Sequence, residues 1–253
     1  MLRDYREDWK RYGDTDPYYG VLTDPRFHRD NLDAEALAEF WATGEAHVER
    51  IARLFARHLG RALQPRRSLD FGCGVGRVLL PLALRSGQAI GVDISPSMLA
   101  EARKASEASG VHNVEFSSSL AELRGPFDFV HSYIVLQHIP ARLGAPLIAQ
   151  MLALLAPGGL AMLQLTYAKP GEDALRAMVR RVRSSVPLAN GLANLLGRHR
   201  WGEPYMQMNA YDLNHVFQIF QGAGCHRVFT TFSDHGGVLG VALLAEKVAE
   251  SSL

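Results

Sequence analysis

Three glycines at alternate positions, Gly72, Gly74 and Gly76, follow a short apolar run that carries Asp70. Alternate glycines let a backbone take positive φ and approach a ligand more closely than any residue with a Cβ. Asp70-x-Gly72-x-Gly74-x-Gly76 therefore reads as a cradle for a cofactor. About twenty residues further on, the run Gln88-Ala89-Ile90-Gly91-Val92 ends in Asp93, at the usual distance for a carboxylate that accepts hydrogen bonds from both hydroxyls of a ribose. Ser95 is suited to cap the helix that follows, with Pro96 at its first position.

The spacing narrows the choice of cofactor. A dinucleotide fingerprint wants G-x-G-x-x-G under a pyrophosphate, whereas here the third glycine comes one residue early. The pattern resembles motif I of the class I S-adenosylmethionine-dependent methyltransferases. Phe127 to Pro140 (FDFVHSYIVLQHIP) resembles motif IV of that family, and Ala156-Pro157-Gly158-Gly159-Leu160 resembles the helix-to-strand turn before its fifth strand. The resemblance spans roughly Ser68 to Lys247. It implies S-adenosyl-L-methionine as cofactor and S-adenosyl-L-homocysteine as product, with contacts from Asp70, Gly72, Gly74, Gly76, Asp93, Ile94, Met98 and Ser132. One departure is visible. Where many relatives carry an acid for the adenine amino group, this chain has Ser117-Ser118-Ser119-Leu120, which leaves Ser119 as the nearest substitute.

Transfer from a sulfonium is an in-line displacement, so holding the reactants in line supplies several kcal/mol of the acceleration. A base is needed only where the nucleophile must lose a proton. His138, after the fourth strand, and His235, in the final turn beside Gly236 and Gly237, are the catalytic candidates. His131 lies inside a strand and reads as a hydrogen-bonded core residue, His215 as helix packing, and Cys73 as a small filler in the loop. No compact His, Asp or Glu spacing signals a metal.

These groups need a scaffold that brings them to one edge. Strand-like runs at Gln88–Val92, Val114–Ser117, Phe127–Tyr133 and Leu160–Thr166 alternate with helix-like runs at Pro96–Ser109, Ala141–Leu155 and Tyr211–Ala223. The expected fold is α/β: a doubly wound, mainly parallel, seven-stranded Rossmann-like sheet with ligands at the carboxyl ends of its strands. His226–Phe232 and Val238–Glu246 flank a short turn and form a terminal antiparallel hairpin. A helical region from Asp33 to Leu59, broken at Gly44 and closed by Gly60, precedes the first strand. Residues 1–60 are expected to form an N-terminal flap with helices, and 61–253 the cofactor-binding domain with a helical insertion at 169–209.

Two segments are expected to set the acceptor. Trp9 to Asp30 reads as an ordered flap in which Tyr18 or Tyr19 touches the cofactor, since an aromatic face attracts a sulfonium. The insertion carries Arg176, Arg180, Arg181, Arg183, Arg198 and Arg200 on two helices that turn near Pro187, and Gln207 and Asn209 follow as acceptor contacts.

With 253 residues, 47% hydrophobic, and a formal charge of +1, the chain can bury one substantial core and shows no global basic field for nucleic acid or an anionic membrane. Base-amino methylation typically uses Asn/Asp-Pro-Pro-Tyr/Phe after the fourth strand, where this chain has Ser132-Tyr133-Ile134-Val135; Asp16-Pro17-Tyr18-Tyr19 imitates that motif only loosely. The charged start is unlike a secretion signal, no apolar run spans a bilayer, and two distant cysteines make no disulfide framework. The expectation is a cytoplasmic enzyme that methylates oxygen or nitrogen of a small-molecule acceptor, without nucleic-acid or membrane partners. The alternatives are an NAD-dependent oxidoreductase or a non-catalytic S-adenosylmethionine-binding protein.

Overall fold

A computed structural model of the chain describes residues 4–170, 206–234 and 236–248, together with Met178, Val182, Leu192, Leu195 and Pro204. Two short helices open it, α1 (Tyr5–Thr15), capped by the Asp4 side chain, and α2 (Pro17–Val21). The long helix α3 (Ala34–Leu59) starts where Asp33 accepts the Ala36 N–H and stops at Gly60, whose φ of 67° ends the helix in the left-handed region. Gly44 does not break α3. A Cβ there would run into the carbonyl of Arg77, so this glycine lets the helix pass against the loop after the cradle.

From there strands and helices alternate: β1 (Arg67–Phe71), α4 (Leu79–Ala83), β2 (Gln88–Val92), α5 (Pro96–Ser109), β3 (Val114–Ser117), β4 (Phe127–Ser132), α6 (Ala141–Ala153), β5 (Leu155–Ala168), α7 (Leu213–Gly222), β6 (Arg227–Asp234) and β7 (Leu239–Glu246). Ser95 caps α5 as the sequence implies, accepting the Met98 N–H at 3.3 Å. Two bounds move. β4 ends one residue early, at Ser132, and β5 begins at Leu155 because Leu155 pairs with Phe127 before the register shifts to Phe129 with Leu160. The short apolar α4 gave no periodic signal of its own.

The strands form one sheet in the order β3-β2-β1-β4-β5-β7-β6, with β7 antiparallel to both neighbours and the other six strands parallel. Chain order reverses between β1 and β4, which opens a crevice at their carboxyl ends. The expected hairpin is present. Alternation of side chains splits the core across the two faces: Val130 and Leu163 pack toward α6 and α7, while Phe129 and Met162 pack toward Val48, Ile51 and Phe55 of α3. Burying each of these large side chains contributes about 1.5–3 kcal/mol. The same period of two places His131 on the α3 face.

Candidate active site

The carboxyl ends of β1, β2 and β4, closed over by α1 and α2, enclose a cavity of about 340 Å³. The cradle behind it is held by backbone bonds: the N–H groups of Gly72 and Cys73 both donate to Val92 O, at 2.7 and 3.0 Å. Gly72 and Gly74 adopt φ of 77° and 54°, which a side chain tolerates only with strain. Both also lack room for a Cβ, since Gly72 is covered by Val135 and Gly74 by Val21 of α2. Gly76, at φ 92°, stands outside the cavity lining and packs by Leu80 and Ala102.

Asp93 lines the cavity. Its Oδ2 accepts from Gly74 N–H and its Oδ1 from Ser95 N–H, each at 2.9 Å. Burial pushes its pKa up to about 6, although those backbone bonds favour the anion. Ile94, Met98 and Ser119 also line the cavity. Ser119 is occupied locally, its Oγ capping the turn at Ala121 N–H.

One part of the cavity wall is charged. Asp70 sits there with Arg77, His131 and Tyr133. The Arg77 guanidinium donates to Thr43 Oγ1 at 3.2 Å and lies 5.8 Å from the centre of the Tyr133 ring. Among the described residues, Arg77 Nε is a buried side-chain donor without a partner. Burial lowers the Arg77 pKa, opposed by Tyr133 and Asp70. Leu120, Ala121, Val135, Ile139 and Leu147 supply apolar wall.

His138 lines the cavity from a short turn between β4 and α6. Its Nδ1 donates to Gln207 O at 2.7 Å, so the lone pair is on Nε2, where the Gln137 amide donates at 3.2 Å. Burial holds its pKa down at about 4. Trp9 of α1 packs on its ring, with centroids 4.8 Å apart. Asn209 likewise ties back to Gln137 O.

Other predicted residues stand elsewhere. The Ser132 hydroxyl donates to Phe71 O and binds β4 to β1. Tyr18 packs edge-on to Phe40 and Trp41, and Tyr19 stacks on His28. From this flap it is Tyr5, Arg6, Trp9, Gly20 and Val21 that reach the cavity. His235 and the six arginines of the insertion lie outside the described residues. Arg77, Tyr133 and Ile134 are cavity residues that the sequence did not single out. Ile134 takes φ 62°, a strained conformation for a β-branched residue, and its N–H donates to Gln164 Oε1 of β5. No local pattern signals such a residue; for Arg77, the glycine at position 44 was the available clue.

Among the described residues no cluster of His, Cys, Asp and Glu could hold a metal, and no helix is long and apolar enough to cross a membrane.

The methyltransferase domain family matches residues 41–226. The chain is similar to the trans-aconitate 2-methyltransferase of Methylobacterium radiotolerans, 31% identical over 153 residues that cover 59% of this chain and 56% of that protein. It is also 32% identical over 163 residues to the ubiquinone biosynthesis O-methyltransferase of Xanthomonas campestris pv. campestris, covering 60% of this chain and 67% of that one. Thus it spans little more than half the length of the first relative. In structure it resembles the magnesium protoporphyrin IX methyltransferase of Synechocystis PCC 6803, crystallised with S-adenosylhomocysteine, at a TM-score of 0.63 and 21% identity over 96% of this chain and all of that one. The N-methyltransferase NodS of Bradyrhizobium japonicum WM9 gives a TM-score of 0.57 and 14% identity over 96% of this chain and 98% of that one. The family match over most of the chain and the seven-stranded fold set aside the oxidoreductase alternative: the chain belongs to the methyltransferase domain family and has the fold of the class I, S-adenosylmethionine-dependent methyltransferases.

Proposed function

We propose that the protein methylates oxygen or nitrogen of a small-molecule acceptor, with S-adenosylmethionine lying along the cavity. Its amino-acid end meets Asp70 and Arg77, its ribose meets Asp93, and its adenine lies by Ile94, Ser119, Leu120 and Val135. The observation that carries this reading is the chemistry of the cavity wall, which combines an acid and a buried guanidinium, the Asp93 carboxylate and a set of apolar side chains. The Arg77 guanidinium bonds Thr43 but keeps its buried Nε–H without a partner, and guanidinium donors match a carboxylate. The cofactor supplies an electrophilic methyl group on a sulfonium.

The chain's own contribution is to bind, align and exclude water. The α1–α2 strap is pinned where Tyr12 donates to Pro204 O at 3.0 Å and where Ser97 donates to Asp14, so it can shield the reacting atoms. His138 is neutral at pH 7, with both ring nitrogens engaged, and a pKa of about 4 makes it a weak match for the proton of a phenol or an ammonium. Its role in this reading is to seat Trp9 and the segment at Gln207. Alignment then provides most of the rate. The small-molecule class is supported by the relatives named for trans-aconitate and a ubiquinone precursor, and by the lack of the base-methylation motif after β4.

Titration calorimetry with S-adenosylhomocysteine and with NAD, followed by tritiated methyl transfer to panels of small carboxylic acids, phenols and amines, tests the reading. Micromolar affinity for S-adenosylhomocysteine and label on one panel are expected; binding of NAD alone would overturn it. Once an acceptor is found, His138→Ala and His235→Ala should be assayed separately. A loss of kcat of about a hundredfold or more in either would restore a general base.

A further inference from the structure

A buried chain of three polar groups leads from α3 to the charged part of the cavity wall. His131 Nδ1 lies 2.7 Å from Asp70 Oδ1, and His131 Nε2 lies 3.0 Å from His47 Nε2. Asp70, His131 and His47 are 3%, 0% and 6% exposed. Asp70 and His131 are cross-strand partners in the β1–β4 register, and His131 shares the sheet face that meets α3, so the fold brings together residues far apart in the chain.

The proton inventory gives this chain a direction. The carboxylate accepts the Nδ1 proton of His131, so His131 Nε2 presents its lone pair and His47 Nε2–H donates to it. Burial, with His131, Arg77 and Arg50 nearby, holds the His47 pKa down at about 2, which keeps that ring uncharged. His47 is also clamped from the side by Tyr133, stacked 3.9 Å away at 24°. Asp70 Oδ1 is thereby tied, and its carboxylate plane cannot turn freely. Oδ2 accepts no hydrogen bond among the described residues, and Asp70 forms part of the cavity wall. Buried polar chains add little stability over well-packed apolar side chains, so core filling alone does not explain three of them in line on a ligand cavity.

Resting on the cofactor placement above, we infer that His131 and His47 are positioning residues that hold Asp70 Oδ2 for the α-ammonium group of the cofactor. They act through Asp70 and touch no reacting atom. Their removal therefore weakens recognition of the amino-acid end and leaves recognition of the nucleoside end intact.

The test uses the full chain and two ligands: S-adenosylhomocysteine, and 5′-methylthioadenosine, which has the nucleoside but no amino-acid end. Wild type should bind both. His131→Leu and His47→Leu should each raise the Kd for S-adenosylhomocysteine at least tenfold and leave that for 5′-methylthioadenosine within twofold. His131→Asn, whose amide can still donate to Asp70, should recover most of the loss. In turnover, KM for S-adenosylmethionine should rise while kcat stays within twofold. Equal weakening of both ligands, or an unchanged Kd for S-adenosylhomocysteine, would overturn the inference alone; a wild type that binds neither ligand would overturn the cofactor placement with it. Should the leucine variants fail to fold, ring ¹⁵N NMR of the wild type decides: protonated Nδ1 and bare Nε2 on His131 are expected, and the opposite tautomer or an imidazolium refutes it.

Discussion

Binding of S-adenosylhomocysteine is expected to weaken as the pH falls through about 6, because in the proposed placement Asp93 must be ionised to accept two ribose hydroxyls. Burial pushes this carboxyl from the ordinary 3.8 up to about 6, a shift of about 2 units worth roughly 3 kcal/mol between its protonation states. The sign follows from the free protein keeping its proton up to about 6 while the complex favours the anion: binding releases that proton and is strongest above pH 6. At about pH 5 roughly one Asp93 in ten is ionised, so Kd should rise about tenfold from its value at about pH 8, or about 1.4 kcal/mol. His138 at about 4 and His47 at about 2 titrate below this window. Calorimetry in two buffers of different ionisation enthalpy measures both affinity and protons released; release of about half a proton at pH 6 is expected. Asp93→Asn should abolish the pH dependence and lose about 1.5 kcal/mol or more at about pH 8. Constant affinity across the range, with no proton release, would refute the reasoning. For the unliganded fold the same shift runs the other way. The unfolded chain releases this proton near 3.8, so the Asp93 contribution to stability is lost as the pH rises from about 4 through about 6.

Two further outcomes test the packing around the site. Gly44→Ala should destabilise the protein by about 2 kcal/mol and lower Tm by several degrees, because the new Cβ meets the Arg77 carbonyl; an unchanged or higher Tm, as helix propensity alone would give, would sink that account. Gly13→Ala places a Cβ against Ser95 Oγ and Met98, and should lift α1 from α5. Stopped-flow release of S-adenosylhomocysteine is then expected to quicken several-fold, with little change in Tm, and an unaltered off-rate would show that the strap does not gate the cavity.

Much of the frame was legible because it rests on short-range rules. Ser95 beside Pro96 marks a helix start in any context, Gly60 a helix end, and the Asp70 to Gly76 spacing a close-approach loop. Asp93 was readable for the same reason, since its two partners, Gly74 and Ser95, lie within the span from the loop to the next cap. The flap was legible as ordered but not in detail: adjacent tyrosines signal aromatic packing without saying which residues turn inward, and Phe40 and Trp41 hold Tyr18 away while Trp9 reaches His138. Ser132 was misleading because a hydroxyl at the end of a strand serves equally to bond a neighbouring strand.

By itself, then, the sequence determined the order of the elements, their caps, the cradle and the carboxylate that closes β2, all encoded by residue type and spacing within some twenty residues. Only the tertiary structure decided that Arg77 meets Thr43 across 34 residues, that His131 meets Asp70 across 61, and that His47 meets His131 across 84. Those pairings depend on strand register, on the face of β4 that α3 covers, and on a glycine that lets α3 approach. The physical reason is that a hydrogen bond between distant residues requires the whole sheet to be assembled first, and no local pattern records which side chains that assembly will bring within hydrogen-bonding reach.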